Sequence, residues 1–291
     1  MIVGKSAPIP EQLVSKLSTG VKEMELQLLS SKQITNETVT EIIEILKMNN
    51  AKITSIHTPL QNIDGCIRGV NLKELFINNE FLLPEILLLA KRIIDERVAK
   101  DNKIHIVVHM DDNEDEVSKY SLVERIGVTL NLFPFIEIDI EHCSYVTILN
   151  EGKSVPMKEV LDLIYEVRRR FYTTRCNFLF DWCHYQIDQY FDFQPPSIKE
   201  IESEYLSVTK RIHMSWANGD GIGVNHGNVI PNFQTYCELR DLFRNVEIVA
   251  EVMEDDHLQP KNLSHMIEME ESHKYLLMRE KMVVNRISNN K

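Results

Sequence analysis

No stretch of the chain is apolar for long enough to span a bilayer. Met1 to Pro10 lacks the apolar core of a secretory leader. No membrane partner is expected, and a cytoplasmic setting fits best. The five cysteines, Cys66, Cys143, Cys176, Cys183 and Cys237, are odd in number and show no C-x-x-C spacing. That argues against a disulfide framework and against a structural zinc knuckle. No G-x-G-x-x-G follows the first apolar run, which removes the commonest open dinucleotide-binding sheet. There is no low-complexity linker and no internal repeat. Positive charge is in deficit too: the net charge is -12 at pH 7, so the surface repels polyanions on average.

What is present is ordinary globular material, 291 residues with 43% hydrophobic and 26% charged. Short apolar, β-branched runs read as strands near 2–8, 22–28, 52–58, 103–110, 135–142, 177–183, 211–216 and 246–252. Helical spacing lies between them. In 36–48 the apolar face is Val39, Ile42, Ile43 and Leu46, and in 156–172 it includes Val160, Leu161, Ile164 and Val167. The very apolar segment 78–100 reads as one long helix. Ser197 with Glu200 spells a capping box after Pro195-Pro196. Strand then helix, repeated along one chain of this size, predicts an α/β fold: a single (β/α)8 TIM-barrel domain over 1–291, with 258–291 as a helical C-terminal extension. The alternative is an open parallel sheet.

Ionisable residues collect at the ends of those strands. His57 ends the third, His109 the fourth and Glu141 the fifth; Asp181 and His184 end the sixth, His213 lies on the seventh, and Glu251 ends the eighth. In a barrel, strand ends converge on one mouth. Carboxylates brought together there repel one another and lose solvation. A divalent cation removes that cost, and imidazole and carboxylate are ligands that zinc, manganese and cobalt accept. Each residue alone has a plainer reading: a satisfied core histidine, a salt-bridge partner, a helix cap at Asp181. The joint pattern is what points to a metal.

The order His, His, Glu, Asp-x-x-His, His, Glu resembles the xylose-isomerase-like barrel superfamily. The pieces that carry the resemblance are IDIEHC at 138–143, FDWCHY at 180–185, RIHMSWANGD at 211–220 and VAEV at 249–252. That group holds sugar isomerases and epimerases, dehydratases of inosose and dehydroshikimate, and type-IV AP endonucleases. The resemblance implies Glu141, Asp181, His213 and Glu251 as metal ligands. It implies Glu141, Glu251 and His184 as catalytic groups, with His184 a further ligand or a substrate contact. His57 and His109 match the extra histidines of the endonuclease branch, with His226 as a further candidate. The expected cofactor is a divalent ion, Mn, Zn, Co or Mg. Trp182 and Trp216 are candidate apolar walls for a sugar, or core packing.

The chain also departs from the endonuclease pattern. After the seventh strand it reads GIGVNHGNVIP, with no Asp-x-His; Asp220 or His226 are the available substitutes. The segments holding Asp111, Asp112, Glu114, Asp115 and Glu116, and Glu254, Asp255 and Asp256, would give the mouth an acidic rim that DNA phosphates meet at a cost. Arg168, Arg169, Arg170 and Arg175 fall near a helix C-terminus, on the opposite face. The glycines of 219–223 read as a flexible loop. The leading expectation is therefore a metal-dependent isomerase or epimerase acting on a small sugar, sugar phosphate or related polyol. The alternatives are a zinc phosphodiesterase of the endonuclease kind and a metal-dependent dehydratase. Nucleic acid is not the expected partner; an oligomer is compatible.

Overall fold

The computed structural model describes residues 2–29, 35–59, 70–110, 116–143, 155–192, 194–219 and 224–289. The barrel strands are β1 (Ile2–Ser6), β2 (Glu23–Gln27), β3 (Lys52–His57), β4 (Ile104–Met110), β5 (Ile136–His142), β6 (Cys176–Asp181), β7 (Thr209–Met214) and β10 (Glu247–Ala250). They close in the order β1-β10-β7-β6-β5-β4-β3-β2, each pair parallel. An antiparallel hairpin, β8 (Trp216–Gly219) and β9 (Val224–Asn228), follows β7. The helices are α1 (Pro10–Ser18), α2 (Asn36–Met48), α3 (Leu82–Asp95), α4 (Glu116–Leu132), α5 (Met157–Phe171), α6 (Trp182–Tyr190), α7 (Ile198–Glu200), α8 (Phe233–Leu242) and α9 (Lys261–Asn289).

Local chemistry sets these boundaries. Thr35 caps α2 by accepting from the Thr38 amide at 3.2 Å, and the buried face is Val39, Ile42, Ile43 and Leu46. The capping box forms at Ser197 and Glu200, but the helix it starts gives way after one turn to a wider π turn at Ile201–Tyr205. The long helix expected over 78–100 is shorter. A π turn occupies Glu74–Asn78, and the Asn79 side chain accepts from the Phe81 and Leu82 amides, so the helix begins afresh there. It ends where Arg97 takes φ of +60°.

The barrel has no solvent face. Its outer side packs Met24, Leu26, Ile53, Ile106, Ile138, Phe178 and Ile212 against the helices. The alternate residues point inward, and many are polar. At the N-terminal end of the lumen, Arg211 pairs with Glu247 and lies 3.5 Å from Asp139, which accepts from His105 at 2.8 Å and Asn177 at 2.9 Å. Lys100 bridges Glu23 and Glu247 at 2.8 Å each. Every charge in this plug meets an opposite one, which makes its burial tolerable. Arg168 and Arg175 also lie toward this end; they donate to the carbonyls of Cys176, Phe133 and Ile136.

Candidate metal centre

Strand register assembles the mouth. Gln27 stands opposite His57, His109 opposite Glu141, and Asp181 opposite His213. Glu141 lies at the centre. Its Oε1 is 3.2 Å from His213 Nδ1 and 3.6 Å from His184 Nδ1. Its Oε2 is 3.0 Å from His57 Nε2 and 3.2 Å from His109 Nε2. His213 Nδ1 also faces Glu251 Oε2 at 2.9 Å and Asp181 Oδ2 at 3.7 Å.

The hydrogens on three of the imidazoles are fixed by partners outside the cluster. His213 Nε2 donates to Glu25 Oε1 at 3.0 Å, which turns its Nδ1 toward the three carboxylates. His57 Nδ1 donates to the Thr58 carbonyl at 3.0 Å and leaves Nε2 facing Glu141. His184 Nδ1 donates to the His142 carbonyl at 2.8 Å. A neutral His213 would therefore aim a lone pair at three carboxylate oxygens. A proton or a metal cation must sit between them. Burial would depress the basicity of His213, but Glu251, Glu141 and Glu25 outweigh it and raise the group well above the usual imidazole range. Burial would raise the Glu141 carboxyl; His213 and His109 instead hold it well below the usual range. In His57, burial and the nearby Lys5 charge lower the basicity, which suits a neutral ligand.

A divalent ion fits this donor set. Four ligand atoms from Glu141, Asp181, His213 and Glu251 lie within 4.8 Å of one another. The ligands of a tetrahedral zinc ion with bonds of about 2.0–2.1 Å are about 3.3 Å apart, and the three His213 Nδ1 separations above bracket that value. His57, Glu141 and His213 form a second such group around the same carboxylate.

The structure thus gathers Glu141, Asp181, His213, Glu251, His184, His57 and His109. Asp181 has a further task as the cap of α6, accepting from the His184 amide at 2.6 Å. Trp182 and Trp216 are part-buried and pack against the core, with the Trp182 ring tilted against Tyr185 at 5.3 Å. His226 falls on β9, but its side chain lies outside the described residues, as do Asp220, Cys66, the acidic run 111–115 and the side chain of Glu116. Of the other acidic segment, Asp255 and Asp256 are exposed, but Glu254 is no part of a rim: it turns inward, accepting from the Asn262 and Leu263 amides at the start of α9, with Lys16 at 3.3 Å.

Three mouth residues escape a reading by strand ends alone: Lys5, Glu25 and Gln27. All lie on the first two strands. Lys5 Nζ is 2.5 Å from Glu251 Oε1 and 3.5 Å from Glu25 Oε1. Glu25 also accepts from Ser55 Oγ at 2.7 Å. Gln27 donates to the Thr58 carbonyl at 2.9 Å, behind His57. The signal was the alternation Glu23, Glu25, Gln27 along β2, in a strand whose two faces are both covered.

The sequence matches no family profile and no curated protein, so likeness is carried by the backbone. An AP endonuclease of family 2 from Brucella melitensis superposes with a TM-score of 0.58 at 11% identity, over 89% of this chain and 96% of its own. The shared fold is the closed, eight-stranded parallel barrel. D-psicose 3-epimerase from Clostridium cellulolyticum H10 gives 0.58 at 12% identity, over 95% of this chain and 99% of its own. A probable 3-DHS dehydratase from Bacillus anthracis gives 0.56 at 14%, over 92% and 98%. Barrels that share this backbone thus bear the names of different chemistries, and the choice between them falls to the site. Among the described residues no helix is long and apolar enough to cross a membrane.

Proposed function

We propose that the chain is a divalent-metal-dependent isomerase or epimerase of a sugar or related polyol. One observation supports this above the others: Glu141, from β5, and Glu251, from the end of β10, reach the same nitrogen, His213 Nδ1, at 3.2 and 2.9 Å. Glu141, Asp181, His213 and Glu251 would hold the ion. When bound, it would polarise a substrate carbonyl and acidify the neighbouring C–H. The two glutamates differ in freedom. Glu141 is 1% exposed and ringed by imidazoles, whereas the Glu251 side chain is 20% exposed. Glu251 is therefore the group that takes the proton from one carbon and returns it to the next carbon or the other face. His184, with its Nδ1–H on a carbonyl, orients a substrate oxygen through Nε2.

The test is exchange of substrate C–H for deuterium in heavy water, followed by NMR across a panel of ketoses with Mn2+ or Co2+. Glu251→Gln should lower exchange by about 100-fold or more and leave the melting temperature within a few degrees. Exchange that survives this substitution would sink the assignment.

A second reading is favoured by one specific feature. Glu141 Oε2 is shared by His57 and His109 while Oε1 faces His213, which is how one carboxylate would bridge two ions. Two zinc ions per chain, together with cleavage of abasic-site DNA, would replace the isomerase reading with phosphodiester hydrolysis.

A further inference from the structure

Lys5 has no part in the reaction just described, yet its ammonium lies among the carboxylates of the mouth. It comes from β1, stands opposite Glu25 in register, and its side chain is only 10% exposed. Glu251 is divided between two partners: Oε2 faces His213 Nδ1 at 2.9 Å, and Oε1 meets Lys5 Nζ at 2.5 Å. A carboxylate with both oxygens at liberty readily closes on a divalent ion through both. One whose second oxygen is bonded to a fixed ammonium does not.

We propose that Lys5 is a positioning residue that would hold Glu251 to a bound ion through Oε2 alone, by keeping Oε1 on its own ammonium. The inference rests on the metal-dependent reading above. It has two physical consequences. The protein ligand atoms would stay at four, because Glu251 would contribute one oxygen and not two. The site also gives up affinity, because a permanent positive charge stands beside the cation it must bind. Glu25 keeps Lys5 in place from the other side, at 3.5 Å, so the ammonium cannot swing away when an ion enters.

Co2+ titrated into the metal-free full chain reads both consequences without any assay of activity. The first equivalent in the wild type should give the intense visible absorption of four-coordinate Co2+. Lys5→Met should give the weaker absorption of a higher coordination number and bind Co2+ about tenfold more tightly. Lys5→Arg, which keeps the charge, should retain the wild-type spectrum. Circular dichroism of the metal-free variants checks folding; if Lys5→Met does not fold, the uncharged Lys5→Gln carries the same expectation. An unchanged spectrum and affinity in the uncharged variant, with the wild type still binding, would overturn the role given to Lys5 and leave the metal reading intact. A wild type that takes up no Co2+ would overturn both.

Discussion

Glu25 decides which nitrogen His213 presents. Its Oε1 accepts from His213 Nε2, its Oε2 is occupied by Ser55, and it is fully buried. Burial would raise its carboxyl, but His213 and Lys5 hold it below the usual carboxylate range, so it stays ionised. A carboxylate behind a ligating imidazole orients the ring and strengthens it as a donor. Glu25→Gln should therefore weaken divalent-ion binding by about 10- to 100-fold, read by isothermal titration calorimetry. Unchanged affinity would show that the ring is held by packing alone. The sequence hid this residue for a plain reason. Alternation such as Glu23-Met24-Glu25-Leu26-Gln27 usually marks a strand with one wet face. In a closed barrel the polar set faces the lumen.

The elements meet at positions that leave no slack. Gly127 lies on α4 where Phe171 of α5 crosses it; a Cβ there would stand 2.1 Å from a Phe171 ring carbon. Alanine gains up to about 1 kcal/mol over glycine in a helix, but forcing a ring out of a packed contact costs about 1–3 kcal/mol. The clash should win. Gly127→Ala is expected to be destabilising by about 1–2 kcal/mol in urea denaturation; a more stable variant would mean that Phe171 moves freely. The same scale explains the strand placement around the site. One extra residue on β3, Thr54, shifts its register against β2 at Met24/Glu25. That bulge puts Ser55 opposite Glu25 and His57 opposite Gln27.

For the molecule as a whole, the mouth links stability to pH. In the metal-free protein His213 binds its proton more tightly than in the unfolded chain, with Glu251, Glu141 and Glu25 outweighing burial. Its contribution is full below about pH 6.5 and is lost as pH rises through the folded value. Glu25 and Glu141 are depressed, so their contribution is present above about pH 4.3 and lost as pH falls. His57, held below the usual imidazole range by burial and Lys5, contributes stability that is lost as pH falls below about 6.5, so the metal-free chain should melt highest near about pH 6.5. An ion bound there would take the place of the His213 proton, so binding at neutral pH should release about one proton per ion. Calorimetry in buffers of different ionisation enthalpy measures this. Zero release would mean that His213 is already neutral, or is not a ligand.

The sequence by itself determined the barrel and seven of the residues that meet at its mouth. Strand periodicity and helical spacing are local, and a histidine or carboxylate at the end of a strand, such as His109, Asp181 or Glu251, is visible without knowing its neighbours. Tertiary structure decided what those residues face. Only closure of β1 against β10 brings Lys5 to Glu251, and only the turn of Glu254 onto α9 removes it from the rim. The contact of Lys5 with Glu251 joins residues 246 positions apart, through geometry that no window of sequence contains. Trp182 shows the converse: adjacent in sequence to Asp181, it packs among Phe180 and Tyr185, because successive residues at a strand end point to opposite sides of the wall.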